Sequence, residues 1–278
     1  MRLYSIETGN FKLDGGAMFG VVPKSIWQKT NPADENNLCP LAMRSLLIED
    51  GKRLILVDTG IGNKQSQKFL NYYYLHGDFS LEKSLAKHGF SKDDITDVFL
   101  THLHLDHVGG AIERNAESLV PTFKNAIYWS NQKHWNWAIH PNDREKASFL
   151  KENIIPIEES GQLKFIEEHQ TEFIPGFNIK FTFGHTDAMM LPQLTYKGKT
   201  VLFAADLVPT AGHLPVPYVA SYDVFPLTSM EEKKLLLSEA YNNNYILLFE
   251  HDAVNECCTL TETEKGIRMK ESFKLEDI

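Results

Sequence analysis

The chain has little of what would commit it to a membrane, to nucleic acid or to an oxidising compartment. Its N-terminus, MRLYSIETGNFKLDGG, lacks the apolar core of a secretion signal, and no later apolar run reaches the length of a bilayer span. The expectation is a soluble, cytoplasmic protein with no membrane partner. Basic residues are outnumbered, 28 Lys and Arg against 37 Asp and Glu for a net charge of −9, and no basic stripe is visible. A phosphate backbone needs such a stripe, so nucleic acid is not an expected partner. Cysteine is scarce: Cys39 and the adjacent Cys257 and Cys258 make an odd set of three without metal-type spacing. That fits a reducing compartment and excludes a disulfide framework. Repeats of solenoid period, low-complexity tracts and flexible linkers are also missing, so the 278 residues are expected to form one α/β domain.

What the chain does have is a recurrent ending to its apolar runs. The run Arg53–Val57 ends at Asp58 in DTG, and residues 95–100 lead into Thr101 and His102. Residues 181–183 pass through Gly184 to His185, residues 200–205 stop at Asp206, and residues 245–249 lead through Glu250 to His251. Strands laid side by side would bring these polar ends to one sheet edge, where α/β proteins place a ligand crevice. Helical patterns fill the gaps. Ser80, the run from Leu81 to His88, and Gly89 read as a capped helix with His88 at its C-terminus. Ser229-Met-Glu-Glu232 reads as a capping box opening a helix that carries Leu235, Leu236 and Ala240. Gly109 and Gly110 are expected to turn tightly into AIERNAES, read as a helix, and the charged tail TETEKGIRMKESFKLEDI as an edge strand or terminal helix.

The densest signal is THLHLDHVGG, which packs His102, His104, Asp106 and His107 into six residues. Imidazoles and a carboxylate so close together cost desolvation energy unless a cation binds among them, and neutral imidazole with carboxylate is a standard ligand set for divalent metal. In an extended segment His102 and His104 point the same way and can grip one ion, while Asp106 and His107 face a second. Adding the strand ends, His102, His104 and His185 make one three-histidine site, Asp106, His107 and His251 the other, and Asp206 is placed to bridge. Seven ligands suit two ions with open positions, a catalytic arrangement and not a closed structural one. Zinc is the first choice, with iron, manganese and cobalt admitted by the same ligand types. Such a centre gives a bridging hydroxide that attacks a carbonyl or phosphoryl group.

These residues resemble the metallo-β-lactamase superfamily: DTG at 58–60, THLHLDH at 101–107, GHT at 184–186, AADLVPT at 204–210 and EHD at 250–252. The resemblance implies an αβ/βα four-layer sandwich, two mixed β-sheets flanked by helices, as one domain over residues 1–278 with a helical insert around residues 131–160. It gives the seven residues the ligand roles already argued, makes Asp106 the proton shuttle and makes Asp58 a buttress of the metal loop. An aspartate at 206, where β-lactamase classes carry cysteine or serine, points to the glyoxalase II, RNase Z, organophosphate hydrolase and lactonase branches. RNase Z would need a basic, glycine-rich arm that is absent, and flavodiiron enzymes carry glutamate where this chain has His104. Residues 13–27, LDGGAMFGVVPKSIW, are similar to the start of quorum-quenching N-acyl-homoserine lactonases and methyl-parathion-hydrolase-like enzymes.

The expected function is therefore a dinuclear hydrolase opening a lactone ester, with a small-molecule ester or lactone as partner and a homodimer allowed for. Hydrolysis of a phosphotriester, phosphodiester or other ester on the same site is the alternative, as is a non-catalytic binding or signalling member of the fold. The lactonases carry a tyrosine where this chain has Pro209, and Tyr218, Tyr222 or His213 is read as its replacement. His213 is given a place behind the ligands or against substrate. Met18, Phe19, Trp27, Trp135 and Trp137 are candidates for an apolar mouth, with Phe19, Trp27, Tyr218 and Tyr222 as the substrate contacts. His134 and His140 are read as surface residues or supports of the ligands, and His76 and His169 as solvated.

Overall fold

The computed structural model describes residues 1–278. In chain order it runs β1 (Arg2–Asp14), α1 (Gly15–Phe19), α2 (Lys24–Trp27), β2 (Leu38–Asp50), β3 (Arg53–Val57), α3 (Gln67–Leu70), α4 (Leu81–Lys87), β4 (Asp97–Phe99) and α5 (Leu105–Val108). There follow β5 (Ile112–Asn115), β6 (Ser118–Pro121), β7 (Ile127–Asn131), α6 (Gln132–Ile139), α7 (Lys151–Glu159), β8 (Leu163–Ile166), β9 (Glu172–Ile174), β10 (Phe177–Thr182) and β11 (Met189–Tyr196). The chain closes with β12 (Lys199–Phe203), α8 (Pro226–Asn242), β13 (Ile246–Leu248), β14 (Cys257–Thr263) and β15 (Gly266–Phe273). None of the helices is long and apolar enough to cross a membrane. Two compact units emerge, residues 1–10 with 43–170, and residues 11–42 with 171–278.

The first unit is built on a six-stranded mixed sheet ordered β1-β2-β3-β4-β7-β8. β2 and β3 are antiparallel, while β3, β4, β7 and β8 run parallel, so β3 and β4 end at the same sheet edge. Those central strands carry Leu54, Leu56 and Val98 into a core that also takes Leu81 and Leu85 from α4. α4 starts where Ser80 accepts from the Lys83 amide and stops before Gly89, whose φ of +83° favours glycine. AIERNAES is not a helix. It forms the β5–β6 hairpin, with Asn115 opposite Ser118 and Ala116 in the left-handed region at φ +51°. The helix propensity of Ala, Glu and Arg is a weak preference, and a cross-strand ladder outweighs it here.

The second unit holds a seven-stranded mixed sheet, β15-β14-β13-β12-β11-β10-β9. β12 and β13 are parallel, and β10 is antiparallel to β11, which is antiparallel to β12. It follows that β10, β12 and β13 all point the same way and deliver the segments bearing His185, Asp206 and His251 to one edge. The single sheet edge expected from the sequence is therefore two edges, one in each unit. The tail completes β14 and forms the edge strand β15, and α8 packs against both while burying Leu236 and Leu237. Leu235 is exposed. The capping box expected at Ser229 is also corrected: α8 begins three residues earlier at Pro226, where a proline's missing N–H costs nothing. Glu232 is then free of the helix start and binds elsewhere.

Candidate metal centre

In the first unit the segment after β4 is held by one buried carboxylate. Asp58, at the end of β3, sits in the left-handed region at φ +56°, a conformation aspartate tolerates better than most side chains. Its Oδ1 accepts from the Thr101 amide at 2.8 Å, and its Oδ2 accepts from the Thr101 hydroxyl at 2.6 Å and faces His107 Nδ1 at 3.1 Å. Thr101 Oγ1 in turn lies 3.0 Å from His102 Nδ1. Asp58 thus sets the rings of two histidines, one directly and one through Thr101. Thr59 reinforces this by donating to the His107 carbonyl from both its amide and its hydroxyl, at 2.7 and 2.8 Å. Gly109 and Gly110 are required for close approach: a Cβ on either would fall 2.1 Å from the Ile61 carbonyl or 2.2 Å from the Thr59 carbonyl.

His102 Nε2 and His104 Nδ1 lie 3.1 Å apart, the shared orientation expected of alternate residues. His104 keeps its other nitrogen, Nε2, 3.4 Å from Glu145 Oε1. Glu145 is itself buried and accepts from Trp137 Nε1 at 2.7 Å and Asn142 Nδ2 at 2.6 Å. His134 on α6 is buried, and its Nε2 accepts from the Leu103 amide between the two histidines at 2.9 Å. It steadies their backbone and is not a surface residue. Asp106 and His107 stand on α5, with Asp106 Oδ1 3.9 Å from His107 Nε2.

The second unit assembles its histidines around Asp206. The residue before it, Ala205, is in the left-handed region at φ +40°, a strained conformation for a side chain with Cβ. Asp206 Oδ2 lies 3.2 Å from His185 Nε2 and Oδ1 lies 2.9 Å from His251 Nε2, so each oxygen faces a different imidazole. The far nitrogens are tied down: His185 Nδ1 is 2.9 Å from Asp223 Oδ1, and His251 Nδ1 is 2.8 Å from the Ala42 carbonyl.

One pattern covers all five histidines. Each commits one ring nitrogen to an outer oxygen and turns the other toward another ligand side chain. Fixing the tautomer by an outer oxygen is how metal-binding imidazoles are oriented, so the donor set fits divalent metal ions. The five imidazoles are at most 8% exposed, whereas the carboxylates of Asp106 and Asp206 are 17% and 15% exposed, the most accessible of the seven side chains.

The apolar mouth expected from the N-terminal aromatics is not there. Phe19 and Trp27 are each 1% exposed, stacked on one another with centroids 5.2 Å apart, and they fill the core of the second unit. Trp135 is core in the first unit. His213 stacks on Phe19 at 4.3 Å, with Nδ1 2.8 Å from Thr210 Oγ1 and Nε2 2.8 Å from the Met18 carbonyl. Its burial pushes the imidazole down to about 4, so it is neutral at physiological pH. Tyr218 meets Phe19 edge-on, Tyr222 is exposed, and the Pro209 carbonyl accepts from the His251 amide. His76 and His140 are exposed, as expected. Glu145 and Asp223 were not singled out from sequence, since neither belongs to a motif with a spacing signal, and Glu232 was read only as part of a capping box.

Residues 43–251 match the model of the Metallo-beta-lactamase superfamily. The N-acyl homoserine lactonase AiiA of Bacillus thuringiensis subsp. kurstaki is 24% identical over 269 residues, covering 92% of this chain and 94% of that one. Among solved structures, a probable metal-dependent hydrolase from Staphylococcus aureus is 30% identical with a TM-score of 0.88 over 98% of both chains. AidC, a dizinc quorum-quenching lactonase bound to its product N-hexanoyl-L-homoserine, has a TM-score of 0.78 at 23% identity over 98% of this chain and 94% of its own.

Proposed function

Since this chain belongs to the metallo-beta-lactamase superfamily, we propose that it is a dinuclear hydrolase that opens lactone rings, with an N-acyl-homoserine lactone as the model substrate. At the coarser level it is a metal-dependent hydrolase with distant lactonase relatives. The observation that carries the reading is the shared orientation of the five histidines, each with one nitrogen anchored and one offered. On this reading His102, His104 and His185 hold one ion, Asp106, His107 and His251 hold the other, and Asp206 serves both. Zinc suits nitrogen and oxygen donors of this kind.

When bound, the ions supply the Lewis acidity that ionises water near neutral pH and polarises an ester carbonyl. The chain's own residues do the rest. Asp58, Asp223 and the Ala42 carbonyl hold the imidazoles in one tautomer, so the ligand set needs no rearrangement on binding. Asp106, partly open to solvent, is the group that passes a proton to the departing ring oxygen. His213 is saturated by Thr210 and Met18, which leaves Tyr218 and Tyr222 as the hydroxyls able to stand in for the residue missing at Pro209. The cytoplasm remains the proposed compartment, in keeping with three buried cysteines that form no disulfide.

The test offers zinc-loaded protein an N-hexanoyl homoserine lactone and, in parallel, a phosphotriester. Ring opening that a chelator stops and added zinc restores is the expected outcome. Phosphotriester cleavage without ring opening would move the substrate to phosphoesters, and turnover of neither would favour a binding role.

A further inference from the structure

Helix α8 reaches the surroundings of His185 with two consecutive charged side chains. Glu232 spans the two amides that precede the histidine: Oε1 accepts from the Phe183 amide at 2.7 Å and Oε2 from the Gly184 amide at 3.0 Å. Gly184 is pressed so closely on the same helix that a Cβ there would lie 2.3 Å from the Ser229 amide nitrogen. Lys233, 1% exposed, donates from Nζ to the His213 carbonyl at 3.0 Å and to the Tyr218 carbonyl at 2.7 Å. Those two carbonyls belong to the loop that returns Asp223 to His185 Nδ1. The end of that loop also binds the backbone, with the Val224 amide donating to the His185 carbonyl and the Phe225 amide to the Gly184 carbonyl.

Neither charge is placed where packing alone would want it. Burial pushes the Lys233 ammonium down to about 8 and raises the Glu232 carboxyl, so an apolar pair would be cheaper if filling space were the only task. What both side chains satisfy is backbone on the two sides of one imidazole: Glu232 fixes where His185 leaves the chain, and Lys233 fixes the loop that orients its ring.

We infer that Glu232 and Lys233 are positioning residues that set His185 for its metal ion, an inference that rests on the metal-centre reading above. They touch neither ion nor substrate. Their effect is on how tightly the ion is held, in the manner of outer partners whose loss costs about 10- to 100-fold in metal affinity.

The experiment measures zinc affinity by competition with a chromogenic chelator for the unmodified chain, Glu232→Ala, Glu232→Gln and Lys233→Met, with the melting temperature of each metal-free protein alongside. Glu232→Ala and Lys233→Met are expected to weaken zinc binding about tenfold or more. Glu232→Gln, whose amide oxygen can still accept from a backbone amide, is expected to recover part of the loss. Should Lys233→Met fail to fold, the two Glu232 variants carry the comparison. A Glu232→Ala protein that binds zinc as tightly as the unmodified chain overturns the inference. So does one that melts earlier when metal-free yet binds zinc normally when folded, since that is a structural role only. If the unmodified chain takes up no zinc, the metal-centre reading falls and the pair's role falls with it, a result the first titration separates from the others.

Discussion

The two units supply candidate ligands in opposite styles. The first packs four of them into residues 102–107 and holds them mainly with one buried carboxylate, Asp58, which serves two rings. The second scatters His185, Asp206 and His251 along separate strand ends and gives each histidine its own support, Asp223 for one and the Ala42 carbonyl for the other. A dense motif can share one anchor because its members are neighbours in the chain. A scattered set cannot, and needs a separate long-range contact for every member.

The largest effects test whether the two styles serve one function. His104→Ala in the first unit and His185→Ala in the second are each expected to lower lactone hydrolysis by at least about a thousandfold, about 4 kcal/mol of transition-state stabilisation, with the circular dichroism spectrum unchanged. Strong loss from one and none from the other would break the equivalence of the two sets.

Acid should separate the units next. His213 is protonated far less readily in the fold than in the unfolded chain, from about 6.5 down to about 4, so the unfolded state binds more protons in that window. Its contribution is intact above pH 6.5 and is lost as pH falls toward 4, reaching about 3 kcal/mol. Urea unfolding at stepped pH should show this slope in the unmodified chain and a flatter one in His213→Gln. Identical slopes would show that the buried imidazole is not what makes the second unit acid-sensitive.

Shared against separate anchoring predicts a smaller asymmetry. Asp58→Asn disturbs two rings and is expected to cost about 100-fold in zinc affinity, whereas Asp223→Asn disturbs one and should cost about tenfold, both read by chelator competition. Equal losses would contradict the shared anchor. Smallest is Glu145→Gln: its contact with His104 is 3.4 Å, and exchanging a charged acceptor for a neutral one should cost about threefold in the same titration.

Much of the first unit's candidate set was legible because its members announce themselves by proximity, and the polar ends of the later apolar runs extended the reading to His185, Asp206 and His251. Their supports were not legible. Glu145 sits in a charged stretch that reads as a solvated face, and Asp223 meets His185 from 38 positions away. Glu232 looked like part of a capping box because Ser-x-x-Glu is the right spacing, yet Pro226 already starts the helix and the carboxylate is turned to the Phe183 and Gly184 amides that precede His185. AIERNAES misled in the same way: local propensity favoured a helix, and the cross-strand pairing with Ser118–Pro121 outweighs it. Phe19 and Trp27 were read as a mouth because sequence cannot say whether an aromatic faces a cavity or another aromatic; here they face each other.

On the function proposed above, both sets of candidate ligands serve one pair of ions. The most direct test is metal content per chain, by elemental analysis of zinc-loaded protein after gel filtration, with lactone hydrolysis followed on the same sample. The account predicts about two ions per chain and ring opening that rises and falls with them. A chain that retains no metal, or that opens the lactone at full rate after the metal is stripped, would contradict it.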